Sequence, residues 1–157
     1  MRFHGDSVHE FIESVTVANV RALRPGQGQY TLLTNENGGI IDDLIVTKRP
    51  DHIYAVCNAG CADKDICHFH EAIEAFQANG GASVEMEIVE DASLIALQGP
   101  LAARTLQDLI DHDFSTWGFF QSHEVEVAGI PCLVTRSGYT GEDGFEVSTV
   151  LCVSWSV

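Results

Sequence analysis

Basic residues are scarce. Eight Lys and Arg stand against 23 Asp and Glu, a formal net charge of -15. That balance disfavours nucleic acid and anionic membrane surfaces as partners, and an anionic ligand would need a local basic cluster working against the field. No apolar run approaches the length of a membrane-spanning helix. None of the five cysteines, Cys57, Cys61, Cys67, Cys132 and Cys152, forms a Cys-x-x-Cys pair. Their odd number favours a reduced compartment over a disulfide framework. The first residues, Met1 to Asp6, offer neither an apolar signal core nor an Arg/Ser-rich amphipathic transit segment. Internal repeats and low-complexity linkers are absent as well. What is present, 157 residues with 45% hydrophobic and 20% charged content, suits a globular domain with a real core.

The chain is organised around Gly38 to Val46, which reads as a tight turn feeding a buried β-strand. Ile40, Ile41, Leu44, Ile45 and Val46 suit a packed, pleated surface. Two adjacent carboxylates, Asp42 and Asp43, interrupt them. Side chains alternate across a strand, so Asp43 shares one face with Ile41 and Ile45, and Asp42 the other with Ile40, Leu44 and Val46. At least one carboxylate therefore sits beside aliphatic neighbours, where an unpaired charge is expensive. Either the protein or a ligand supplies the partner. Alternation alone does not say which Asp faces a cavity.

In chain order, Asp6 or Ser7 caps a short helix with Phe11, Ile12 and Val15 on one face, ended by the turn residues Arg24 to Gly28. Gln29–Thr34, the Asp-bearing strand and His52–Cys57 read as an antiparallel meander. Ile66, Phe69, Ile73 and Phe76 then mark an amphipathic helix from Ala62 to Ala78, closed by Asn79-Gly80-Gly81. Val84–Glu90 alternates acidic and apolar residues, as an edge strand does. Ser93–Gln98 is a more apolar strand. Gly99-Pro100 opens a second helix, with Leu101, Thr105, Leu106, Leu109 and Ile110 as its inner face. His123–Val127 and Pro131–Arg136 form a hairpin about Ala128-Gly129. Phe145–Val153 is the last strand. Grouped strands separated by two helices predict an α+β fold with a mainly antiparallel sheet. The apolar tail Leu151 to Val157 ends without turn or cap, so the expectation is a truncated chain.

The loop Gly138-Tyr139-Thr140-Gly141-Glu142-Asp143-Gly144 has glycines at every third residue. A dinucleotide fingerprint must open a helix, and this loop enters another strand. Its glycines suit turn geometry and close approach of backbone to a ligand. Tyr139 offers a stacking face with a polar end, and Glu142 an acceptor for an amino-bearing heterocycle. Cys57, Cys61, Cys67, His68 and His70 match none of the usual zinc spacings, and no metal is expected. No Cys stands beside one particular His as a nucleophile pair would require.

Four blocks together resemble a known family. They are Asn35 to Val46, Asn58-Ala59-Gly60-Cys61 with Lys64-Asp65, Ala96-Leu97-Gln98-Gly99-Pro100, and Gly138 to Glu146. In this order and approximate spacing they resemble the aminomethyltransferases of the glycine cleavage system, the T-proteins, from near residue 1 to about Ser148. The resemblance implies the folate-binding aminomethyltransferase fold for residues 1–148. It implies transfer of a one-carbon unit from an aminomethyl group on the lipoyl arm of the H-protein to tetrahydrofolate, with release of ammonia. Asp43 matches the carboxylate that lies against the folate nitrogens in that family. Val56 and Asn58 match positions lining the folate site, and Tyr139 and Glu142 the pterin-contacting loop. Tetrahydrofolate is then a co-substrate, and no metal is implied. The compartment is mitochondrial if the source is eukaryotic and cytoplasmic otherwise.

The sequence also departs from the family. Its members are more than twice as long, and residues 149–157 no longer follow the pattern and read as a divergent tail. A second function class therefore stands beside the first: a non-catalytic folate-binding or inactive fragment. Asp43→Asn separates the two, because a binder keeps much of its affinity while transfer collapses.

Overall fold

A computed structural model describes residues 1–149. The chain divides into two compact units, Met1–Val89 and Glu90 onward, each α+β with an antiparallel sheet.

The first unit holds a five-stranded sheet ordered β2-β3-β4-β1-β5, with β1 Arg2–His4, β2 Gly28–Thr34, β3 Ile40–Lys48, β4 Ile53–Cys57 and β5 Glu85–Glu87. The expected meander is β2-β3-β4. The expected strand at 84–90 shortens to β5 and lies at the sheet edge, while β1, too short for a periodic signal, joins β4 to β5. Helices α1 (Val8–Val15) and α2 (Ala62–Ala78) bring Phe11, Ile12, Val15 and Phe69 into one core with Leu33, Leu44, Val46, Ile53 and Ala55. Phe3 packs between Phe11 and Phe69, with ring centroids 6.0 and 4.8 Å away.

Helix α1 is shorter than the turn signal at Arg24 to Gly28 suggests. Thr16 adopts an extended backbone, and its hydroxyl donates to the Ile12 carbonyl at 2.7 Å. Thr16 then bridges to Leu33, which pulls the chain toward the sheet. Ser7 occupies the N-cap position without a side-chain cap bond. Helix α2 has the expected bounds. Its end is a Schellman turn: Gly80 N–H donates to Gln77 O (3.1 Å) and Gly81 N–H to Phe76 O (3.0 Å), with Gly80 at φ +92.

In the second unit β6 (Ser93–Gln98), β7 (Ser122–Val127), β8 (Ile130–Arg136) and β9 (Gly144–Thr149) form a four-stranded sheet ordered β6-β9-β8-β7. Helix α3 (Ala102–Gln107) covers it. Its inner face is Ala102 and Leu106, continued by Ile110 just past its end; Leu101 (68% exposed), Thr105 and Leu109 point outward. The helix starts only after Leu101, which rotates the expected stripe by about one residue. Phe114, Trp117, Cys132, Val134 and Phe145 complete this core. The β7–β8 hairpin turns on Ala128 (φ 50) and Gly129 (φ 80), the paired positive φ of a type I′ turn. The continuation of the last strand to Val153, and all but the first residue of the tail at 149–157, lie outside the described residues.

Candidate functional site

In the first unit the site begins with the β2–β3 turn. Asn35 Oδ1 accepts from the N–H groups of Asn37 (3.0 Å) and Gly39 (2.8 Å). A bulge follows: Leu33 opposes Asp42 and Thr34 opposes Ile40, so Ile41 is the extra residue. From there β3 alternates as far as Val46, after which Thr47 is buried on the opposite face. Leu44 and Val46 are buried against the helices, which places Asp42 on the core side. Asp43 faces the other, half-open side. There it is opposite Leu32 on β2, and the next row is Tyr30, Ile45 and Val56.

Asn58, one step beyond the last β3–β4 pair, ties the two carboxyls together. Its amide Nδ2 lies 3.0 Å from Asp42 Oδ1, 3.1 Å from Asp43 Oδ1 and 3.1 Å from the Asp43 carbonyl. Asp42 Oδ1 also accepts from the Asp43 N–H at 2.9 Å. The Tyr30 phenol lies near Asp43, and loss of hydration together with that carboxylate pushes its hydroxyl up. Asp43 and Asn58 are thus brought together, with Val56 on the same face. A carboxylate held by neutral donors on a half-open face can accept a proton, or orient an N–H, of a bound heterocycle.

Beneath Asp42 lies a residue that stands in one of the four family-like blocks but received no role from the sequence. Asp65, in the first turn of α2, is 1% exposed. Burial first, then the neighbouring Asp42, push its carboxyl up to about 6. Burial also acts to raise Asp42, but the N–H of Asp43, the Asn58 amide, Asp65 and the Cys61 thiol outweigh it and bring Asp42 below the usual carboxylate range. Cys57, on the core side of β4, is pushed up to about 12 by burial and then by Asp65. Lys64 spends its ammonium on the Ile41 carbonyl at 2.6 Å. A hollow of about 260 Å³, lined by Ala59 to Lys64, opens at the start of α2. Among the described residues no cluster of three His, Cys, Asp or Glu is arranged to hold a metal.

The second unit holds the glycine loop. Tyr139 is 80% exposed, and Glu142 is exposed with its N–H near Thr140 Oγ1 at 3.4 Å. Arg136 braces the loop: Nε and Nη2 reach the two Asp143 oxygens at 3.0 and 2.7 Å, and Nη1 the Trp117 carbonyl at 2.8 Å. Gly138 and Gly144 wrap the Gln98 side chain so closely that a Cβ on either would stand 2.3 or 2.2 Å from Gln98 Oε1. These glycines serve close packing of the loop on β6. Glu146 on β9 is half-buried, and burial raises its carboxyl against a weaker lowering by the neighbouring Ser137.

Tyr30, Asp65 and Glu146 were each missed for a reason. Tyr30 reaches Asp43 only through the β2–β3 register. Glu146 sits in an alternating strand like any outward acid. Asp65 did leave a signal, since it precedes Phe69 by four and Ile73 by eight, on the inner stripe of α2.

Comparison with known proteins places this geometry among relatives. The family described as the GCVT N-terminal domain matches residues 1–150. The chain is 52% identical over 139 residues to the mitochondrial aminomethyltransferase of Flaveria pringlei, covering 88% of the chain and 34% of that protein. It is 47% identical over 150 residues to the mitochondrial aminomethyltransferase of Dictyostelium discoideum, covering 94% and 37%. Among solved structures, the glycine cleavage system aminomethyltransferase T of Bartonella henselae superposes with a TM-score of 0.75 at 34% identity, covering 94% of this chain and 38% of that one. The chain thus spans about a third of the length of the relatives it matches.

Proposed function

Since this chain belongs to the GCVT N-terminal domain family, we propose that it carries the folate-facing part of an aminomethyltransferase of the glycine cleavage system. Residues 1–148 serve as the folate-binding portion. Tetrahydrofolate is the one-carbon acceptor, the aminomethyl-lipoyl arm of an H-protein is the donor, and ammonia leaves. The relatives' names support a mitochondrial setting. No helix among the described residues is long and apolar enough to cross a membrane.

The observation that carries this reading is the Asp43 carboxylate on the half-open face of β3, held by Asn58 with Tyr30 beside it. In mechanism, Asp43 accepts a hydrogen bond from a folate N–H and draws the proton as that nitrogen attacks the aminomethyl carbon. The nitrogen–carbon bond forms as the bond from that carbon to the amine breaks, and the amine leaves as ammonia with the proton; a second folate nitrogen then attacks the same carbon as its bond to the lipoyl sulfur breaks, which leaves the one-carbon unit on folate and a thiol on the arm. Asn58 fixes the carboxylate, and the apolar neighbours Ile45 and Val56 limit water around it. Tyr139 and Glu142 act as pterin contacts in this proposal.

Calorimetric titration of the 157-residue chain with tetrahydrofolate tests the reading, paired with a transfer assay using aminomethyl-lipoyl H-protein. Saturable binding that Glu142→Ala weakens, and transfer that Asp43→Asn abolishes while binding persists, is the expected result. Binding that is indifferent to Asn58 and Glu142, or transfer that survives Asp43→Asn, would overturn it.

A further inference from the structure

Asp42 Oδ2 and both oxygens of Asp65 are buried without a hydrogen-bond partner among the described residues, although the Cys61 thiol is near enough to Asp42 to help lower its carboxyl. The two carboxyls are close enough that each acts on the other's protonation. Two ionised carboxylates offer only acceptors, so the contact becomes a bond only when one carries a proton. Among the described residues no cation is bonded to these oxygens, although the Lys64 charge acts to lower Asp65 against the burial that raises it. The Lys64 ammonium is bonded to the Ile41 carbonyl. The Met1 ammonium donates to the Ala55 carbonyl at 2.9 Å and senses Cys57 more strongly than any carboxylate. The remaining titratable neighbours, Asp43 on β3, Cys57 on β4 and Cys61 before α2, are acids themselves.

We propose that Asp65 is a pH-dependent positioning residue: in its protonated form it donates to Asp42 Oδ2, and Asp42, so held, anchors the Asn58 amide that fixes Asp43. The chain of contacts runs from α2 through the sheet. Asp65 meets Asp42 on the core side, Asp42 Oδ1 takes the Asn58 amide, and the same amide reaches Asp43 Oδ1 on the open side. The first turn of α2 by itself favours a negative Asp65. Burial and the facing carboxylate outweigh that preference, and the pair titrates as a unit. The consequence for folate chemistry rests on the function proposed above; the shared proton does not.

Carboxyl-carbon NMR on the labelled 157-residue chain, titrated with pH and assigned through Asp42→Asn and Asp65→Asn, tests this directly. One carboxyl of the pair is expected to remain protonated until about pH 6. Asp65→Asn should remove that titration and leave the Asn58 amide and Asp43 carboxyl signals in place, because an Asn N–H donates to Asp42 Oδ2 as the carboxyl did. Asp65→Leu should remove the titration and also shift both signals. The inference is overturned if Asp42 and Asp65 both titrate as ordinary carboxylates, or if Asp65→Leu leaves Asn58 and Asp43 unmoved. Should Asp65→Leu not fold, the wild-type titration and Asp65→Asn decide between the same two outcomes. A chain that shows the shared proton but never binds tetrahydrofolate refutes the functional reading and leaves this one standing.

Discussion

Replacing Asp65 with Asn should make this protein more stable at neutral pH, although the side chain is buried and polar. The reason lies in proton linkage. Asp65 titrates at about 6 in the fold against a reference of 3.8. Between those values the folded chain binds more protons than the unfolded chain, so stability falls as pH rises. The contribution is fully present below about pH 4 and is lost as pH passes through 6. A separation of roughly two units corresponds to about 3 kcal/mol, a sizeable part of the 5–15 kcal/mol typical of a domain. Asn keeps a neutral donor opposite Asp42 Oδ2 at every pH and carries no such slope. Urea unfolding followed by circular dichroism, with wild type and Asp65→Asn compared from pH 4 to 8, isolates the difference because the other carboxylates cancel. The variant should match wild type near pH 4 and exceed it by about 2–3 kcal/mol at pH 7. Parallel curves, or a variant that is weaker throughout, would refute the reasoning.

Three further outcomes follow from other parts of the fold. Ala128 holds a left-handed backbone at φ 50, so Ala128→Gly should raise stability by about 0.5–1 kcal/mol, measured by denaturant midpoint, since a Cβ is disfavoured there. Phe69 is fully buried between α2 and the sheet, and Phe69→Ala should cost about 3–5 kcal/mol in the same measurement. Asp143 is held below the usual carboxylate range by the Arg136 guanidinium. Its contribution is present above the unfolded carboxylate value and is lost as pH falls through the lowered one. Asp143→Asn should therefore destabilise by about 1–3 kcal/mol at pH 7 and much less near pH 3, as thermal melts at the two pH values would register.

The sequence by itself determined the local elements whose signals are periodic or steric. Helix α2 was legible from its apolar spacing and from Asn79-Gly80-Gly81, because a positive-φ glycine ends a helix wherever it stands. The β2-β3-β4 meander and the Ala128-Gly129 hairpin were legible from alternation between turn residues. The dilemma of Asp42 and Asp43 was legible too, since any strand must send adjacent side chains to opposite faces. Tertiary structure decided what those local rules leave open. The early end of α1 came from the bridge between Thr16 and Leu33, and the inner face of α3 from where that helix begins. Which strands share each of the two antiparallel sheets was also left to tertiary structure, because strand partnership is a long-range choice. Only packing chose Asp42 for the core side and Asp43 for the open one. Only packing laid Asp65 against Asp42, 23 residues further along the chain, where burial turns an ordinary acid into a holder of a proton.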